Sequence, residues 1–133
     1  MNILKEKYIM LVKNLYKKIG EAKNWNYDKF ITYGYENEYY IQVRQEGMFR
    51  VIDIFFQLED DTQKLLQLDK EILKNKKVIK ISNFQVNKNG IIIFPNEFFI
   101  VLNLNRLQNI LDFVTVRLKE LDFKPSLEFI NDN

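Results

Sequence analysis

The sequence predicts an α+β domain, with helices layered mainly on one face of an antiparallel sheet of five strands. Three observations predict it. Two-residue alternation of apolar and polar side chains runs into residues 38–57, EYYIQVRQEGMFRVIDIFFQ. Helical apolar stripes recur in three separate segments, over 3–20, 60–75 and 103–121. Turn-forming Asn and Gly residues stand between strands at hairpin spacing, at Asn37-Glu38, Gly47 and Asn87–Gly90. The predicted order is α-β-β-β-α-β-β-α, in a single domain over 1–133 with 123–133 as a tail.

The first helix covers residues 3–20. Leu4, Tyr8, Leu11, Leu15 and Ile19 fall on one stripe, with most lysines off it. Gly20 reads as its C-terminal stop. Such a stripe is what packing on a sheet requires; the sharper alternative is a helix for a membrane surface or a partner. The connection EAKNWNYD carries the only tryptophan, Trp25, either a lid over the core or an exposed anchor.

A three-stranded meander is expected from 29 to 58. Phe30, Thr32 and Tyr33–Tyr35 form its first strand. In the second, Tyr39, Ile41 and Val43 alternate with Tyr40, Gln42 and Arg44. The third is apolar both ways: Phe49, Val51 and Phe55 on one side, Ile52, Ile54 and Phe56 on the other. A strand apolar on both faces is covered on both.

The second helix spans 60–75, with Asp60 and Gln63 at capping-box spacing and Leu65, Leu68 and Ile72 as its stripe. Glu59, Asp60 and Asp61 crowd its start, where the helix dipole favours negative charge. A metal cluster involving Asp53 is the sharper reading of these acids, and capping the simpler one. The fourth strand is placed at 78–86 and the fifth at 91–102, joined by the NKNG turn. Pro95 lacks a ladder donor, which implies a break, bulge or edge there. Asn103 or Asn105 caps the third helix, whose stripe is Leu107, Ile110, Leu111, Val114, Leu118 and Leu121.

In element order and length the chain resembles the type III secretion chaperones and the related YbjN-like proteins. The likeness lies in the leucine-bearing helix (Leu65, Leu66, Leu68), the hairpin KISNFQVNKNGIIIF and the closing helix NRLQNILDFVTVRLKEL. The resemblance implies a protein without a catalytic site that holds another polypeptide, often as a homodimer. Its contact surfaces would be the first helix and the open face of the sheet.

The residues themselves narrow the chemistry. There is no Cys and no His, which removes disulfides, thiolate nucleophiles, the usual zinc sites and every His-based triad. The two serines, Ser82 and Ser126, stand in no nucleophile elbow, and the four glycines form no phosphate loop. No enzyme and no cofactor is expected. Net charge is +2, close to balance. Lys74, Lys76, Lys77 and Lys80 with nearby tyrosines could bind nucleic acid, but arginine, the favoured base reader, is sparse. No apolar run reaches the length of a membrane span, and the N-terminus lacks a signal-peptide core, so a cytoplasmic protein is expected.

Three helices suffice for one face of the sheet. The other face then contacts a partner or a second copy, or is covered by the tail around Leu127–Ile130. The expected partner-binding residues are Val51, Asp53, Phe55, Tyr39, Tyr40 and Trp25, with the acidic group Glu59, Asp60 and Asp61. The leading function is a chaperone-like protein-binding module. The alternative is a bacterial immunity protein that neutralises a toxin, using the acids as a phosphate mimic. A nucleic-acid binder is the weaker third reading.

Overall fold

Tight turns set the sheet. A computed structural model describes residues 3–97 and 102–127. Its elements are α1 (Ile3–Lys23), β1 (Asn26–Asp28), β2 (Ile31–Glu36), β3 (Tyr39–Glu46), β4 (Phe49–Phe55), α2 (Thr62–Asn75), β5 (Ile81–Asn87), β6 (Gly90–Pro95) and α3 (Leu104–Glu120). Asn37 and Glu38 both take positive φ, at 50° and 77°, the backbone that a two-residue hairpin between twisted strands needs. Gly47, at φ 60°, turns β3 into β4.

The architecture is α+β with an antiparallel sheet. It has six strands rather than five, in the order β1-β2-β3-β4-β6-β5. The extra strand, β1, comes from the stretch expected to be a loop. Asn26–Asp28 shows no alternation because all three residues are exposed, so only pairing with β2 makes it a strand. From β4 the chain crosses through α2 to the far edge, lays down β5, and returns as β6 between β5 and β4. Both edges are blunted, one by the brevity of β1 and the other by a register shift between Ile81 and Asn83.

One core joins all three helices to one face of the sheet. It contains Val12, Tyr16 and Ile19 of α1, Leu68 and Ile72 of α2, and Leu107, Ile110, Leu111, Val114 and Leu118 of α3. The sheet supplies Tyr39, Ile41, Val43, Ile52, Ile54, Ile91 and Ile93. The pairing register puts Ile41 opposite Ile54, and Ile54 opposite Ile91, so these side chains share a face. Each such side chain, fully buried, contributes on the order of 1.5–3 kcal/mol.

Several boundaries move from their expected places. α1 runs through Gly20 to Lys23 and stops at Asn24, which takes φ 57°. Gly20 serves a close approach instead: a Cβ there would lie 2.6 Å from Cδ1 of Tyr27. The buried stripe of α1 is Val12, Tyr16, Ile19 and Gly20; of the expected row, Ile19 is buried, Tyr8 and Leu15 pack half-buried on the core, and Leu4 and Leu11 are exposed. The N-cap of α2 is Asp61, whose side chain accepts from the N–H groups of Gln63 and Lys64. β5 begins at Ile81 rather than 78, because Lys80 turns the chain with φ 57° and leaves Val78 in solvent. Pro95 is the last residue of β6; of the rest of the expected strand, Asn96, Glu97 and Leu102 are not in a strand, and 98–101 lie outside the described residues. Asn103 caps α3 by accepting from the N–H of Arg106.

The chain after α3 is docked as far as Ser126. The Phe123 ring lies 4.6 Å from that of Phe56, and Phe56 bridges to Pro125. The Gln57 N–H donates to the Lys124 carbonyl at 2.7 Å. Leu127 is exposed, and the tail residues 128–133 lie outside the described part.

Candidate binding surfaces

Val51, Asp53, Phe55 and Tyr40 do come together, on the face of the sheet turned away from the helices. Tyr40 pairs with Phe55, Gln42 with Asp53 and Arg44 with Val51 across β3 and β4. Among the described residues, no helix lies on this face. An aromatic row crosses it: Tyr40 stands 6.3 Å from Tyr33, 5.5 Å from Tyr35 and 5.6 Å from Phe55, centroid to centroid.

Beside that row the polar groups satisfy one another. Arg44 Nε donates to Asp53 Oδ2 at 2.6 Å and Nη1 to Glu46 Oε2 at 2.5 Å, while Gln42 also donates to Asp53. The Asp53 hydrogen bond raises the Arg44 pKa further above its ordinary value. Val51 is 1% exposed and Asp53 7%, so neither offers area to a partner. Phe55 and Tyr40 are half-buried.

Two expected contact residues belong to the interior. Tyr39 is fully buried on the helix side and its hydroxyl donates to the Phe123 carbonyl at 2.5 Å. Burial, reinforced by Glu38 and Asp122, pushes the Tyr39 phenol up to about 12. Trp25 is buried against Gly34, with its indole N–H donating to the Tyr35 carbonyl at 3.1 Å and Lys23 Nζ over the ring. Trp25 is therefore the lid, not the anchor.

The acidic group is spent on the start of α2. Asp61 is the N-cap, Glu59 Oε1 accepts from the Asp61 N–H at 3.1 Å, and Glu59 Oε2 pairs with Lys64 at 2.7 Å. The Lys64 hydrogen bond holds the Glu59 carboxyl below its ordinary pKa, helped by the Asp61 N–H. Asp60 faces Lys88 at 3.7 Å. Among the described residues, no group of three or more His, Cys, Asp or Glu side chains could hold a metal ion. No helix among them is long and apolar enough to cross a membrane.

A further surface lies along α1, which the resemblance implied as a contact surface but from which no expected contact residue was drawn. Because Val12, Tyr16 and Ile19 turn to the sheet, the adjacent row turns to solvent at Leu4 and Leu11, while Tyr8 and Leu15 pack half-buried against the edge of the core. Leu4 is 74% and Leu11 69% exposed. Tyr8, Leu11, Val12 and Leu15, with Leu102 and Asn103, bound a cleft of about 680 Å³ that also meets Asn14, Lys18 and Arg50. Of the lining residues, Tyr8 is held by a polar chain: Tyr16 Oη donates to Gln45 Oε1 at 3.1 Å, and Gln45 Nε2 donates to Tyr8 Oη at 3.0 Å. Arg50 is neutralised by Glu97, a pair buried on both sides. The signal was present in the sequence, since α1 carries more apolar residues than one stripe can bury.

Compared with known proteins, the chain matches no protein-family model, no curated protein and no solved structure.

Proposed function

We propose that this protein is a non-enzymatic, chaperone-like binding module that holds a polypeptide partner along α1. One observation carries the reading: among the described residues, an apolar cleft walled by Tyr8, Leu11, Val12, Leu15 and Leu102 stays open beside a helix whose other face is already packed. Open apolar patches rimmed by polar groups are the usual mark of protein contact surfaces. The missing His and Cys and the satisfied carboxylates are consistent with recognition rather than reaction. An immunity protein that blocks a toxin would use the same kind of surface with a different partner.

The test is capture of the partner from the native host with the tagged full chain, beside a Leu11→Gln variant. Leu11 is exposed, so the substitution leaves the core intact. A specific polypeptide recovered with the wild-type chain and lost with Leu11→Gln supports the reading. A polypeptide held equally by both variants, or none recovered by either, overturns it. Naming the recovered protein separates a client from a toxin.

A further inference from the structure

Resting on the binding-module reading, we infer that the segment this cleft receives is an amphipathic α-helix with acidic flanks. The first reason is the spacing of the seam. Leu4, Tyr8, Leu11, Leu15, Lys18 and Ala22 follow one another at steps of four, three, four, three and four residues. That is the step pattern of the contact positions in helix–helix packing, where each side chain seats between four of a facing helix. An extended peptide does not match it, because its side chains repeat every two residues. The helix is long enough to accept such a partner: its 21 residues span about 31 Å.

The second reason is charge. α1 holds six lysines, at 5, 7, 13, 17, 18 and 23, against Glu6 and Glu21, a net of four positive charges. Lys23 is tied to Glu36. Lys5, Lys7, Lys13, Lys17 and Lys18 have no ion-pair partner among the described residues. Outside α1 the arginines Arg44, Arg50 and Arg117 are each paired with a carboxylate. Lys18 lines the cleft itself, and Lys7 lies about three helical turns before it on the same outer edge. Lys7 flanks the seam and Lys18 ends its apolar part, so both stand where charge selects the partner.

The same observations rank the other occupants. A second copy docked through α1 would set four positive charges against four, so self-association by this surface is disfavoured. An anionic bilayer would suit the charge but not the shape, since Leu102 is almost fully buried at the back of the cleft and a flat surface does not reach it. Nucleic acid would meet lysines interleaved with leucines, and α1 has no arginine and, on the seam, one half-buried ring, Tyr8, tied to Gln45.

The test uses the full chain and two designed helical peptides with leucines at seam positions, one flanked by glutamates and one by lysines. Fluorescence anisotropy reads affinity across a salt series. Amide chemical shifts read the site. The Glu-flanked peptide is expected to bind at least about tenfold more tightly than the Lys-flanked one, and to weaken as salt rises. Shifts should concentrate at Tyr8, Leu11, Leu15 and Lys18. Leu11→Gln should abolish binding, and the double variant K7E/K18E should reverse the preference. Circular dichroism of each variant verifies that α1 remains helical.

Equal affinity for both peptides, shifts centred on Tyr40 and Phe55 instead, or binding of phosphatidylglycerol vesicles in preference to either peptide overturns the inference. So does a dimer by light scattering that Leu11→Gln dissolves. The two proposals fail separately. A native partner lost with Leu11→Gln, alongside peptides that do not bind, leaves the binding module standing and removes the acidic helix. A native partner unaffected by Leu11→Gln removes the module reading at this cleft, whatever the peptides do.

Discussion

The Trp25 indole fills the space that a side chain at Gly34 would need. A Cβ built on Gly34 falls within the van der Waals envelope of that ring, nearest its Cδ1, and the indole N–H is fixed to the Tyr35 carbonyl next door. The tryptophan thus clamps the end of α1 and the turn into β1 onto β2. Its ring cannot shift without breaking that hydrogen bond.

Gly34→Ala should therefore overpack the site and destabilise the fold by about 1–3 kcal/mol. Urea denaturation followed by Trp25 fluorescence measures it directly. A change below about 0.5 kcal/mol, the range of an ordinary surface substitution, would contradict the clamp.

Tyr39 makes stability sensitive to alkali. Its folded pKa of about 12 lies above the ordinary 10.0 of an exposed phenol, so the folded state keeps the proton more firmly. The associated stability is fully present below pH 10 and is lost as pH rises from there through the folded value. Tyr39→Phe should cost about 0.5–1.5 kcal/mol at neutral pH, through the lost bond to Phe123. It should also flatten the decline between pH 10 and 12. Tyr16, whose phenol burial likewise pushes upward, keeps part of the decline in place.

Arg50 and Glu97 form a pair whose side chains are only 5% and 3% exposed. Arg50 Nε and its own backbone N–H both donate to Glu97 Oε1 at 3.2 Å. Removing one partner leaves a buried charge. Arg50→Met or Glu97→Gln alone should cost about 3–5 kcal/mol, while the double variant should cost less than the worse single one. A thermodynamic cycle by chemical denaturation checks the coupling.

At the start of α2, Asp61→Ala should remove the N-cap and destabilise by about 1 kcal/mol. Glu59 adds a pH dependence. Its folded pKa is lowered by Lys64 and the Asp61 N–H, so its contribution is present above the ordinary carboxylate range and disappears as pH falls through the folded value. The stability gap between wild type and Glu59→Gln should close in acid. A gap that widens below pH 4 would reverse the assignment.

Much of the helical framework was legible because helix faces repeat along the sequence. The buried set of α3, from Leu107 to Leu118, follows directly from its 3.6-residue spacing. The turn at Asn37-Glu38 was legible as a short polar pair between two alternating strands, but the positive φ at Glu38 was not, since Glu carries no preference for it. β1 was not, since three exposed residues carry no period and become a strand only by pairing with β2. The expected site was legible only in part. Tyr40, Phe55, Val51 and Asp53 share a face as their alternation demanded, but burial withdrew Val51 and Asp53, and Tyr39 and Trp25 belong to the core.

The first helix divides what each level determines. By itself the sequence determined that residues 3–19 form an amphipathic helix, since its apolar side chains recur at helical spacing. It also determined that chemistry resting on His or Cys is absent. Periodicity is blind to rotation about the helix axis, however, and α1 carries two adjoining apolar rows. Only the tertiary structure decided that Val12, Tyr16 and Ile19 turn to the sheet and leave Leu4 and Leu11 outside. The choice rests on contacts far away in the chain: Tyr16 bonds to Gln45, packs into the core beside the strands, and fixes the helix's rotation.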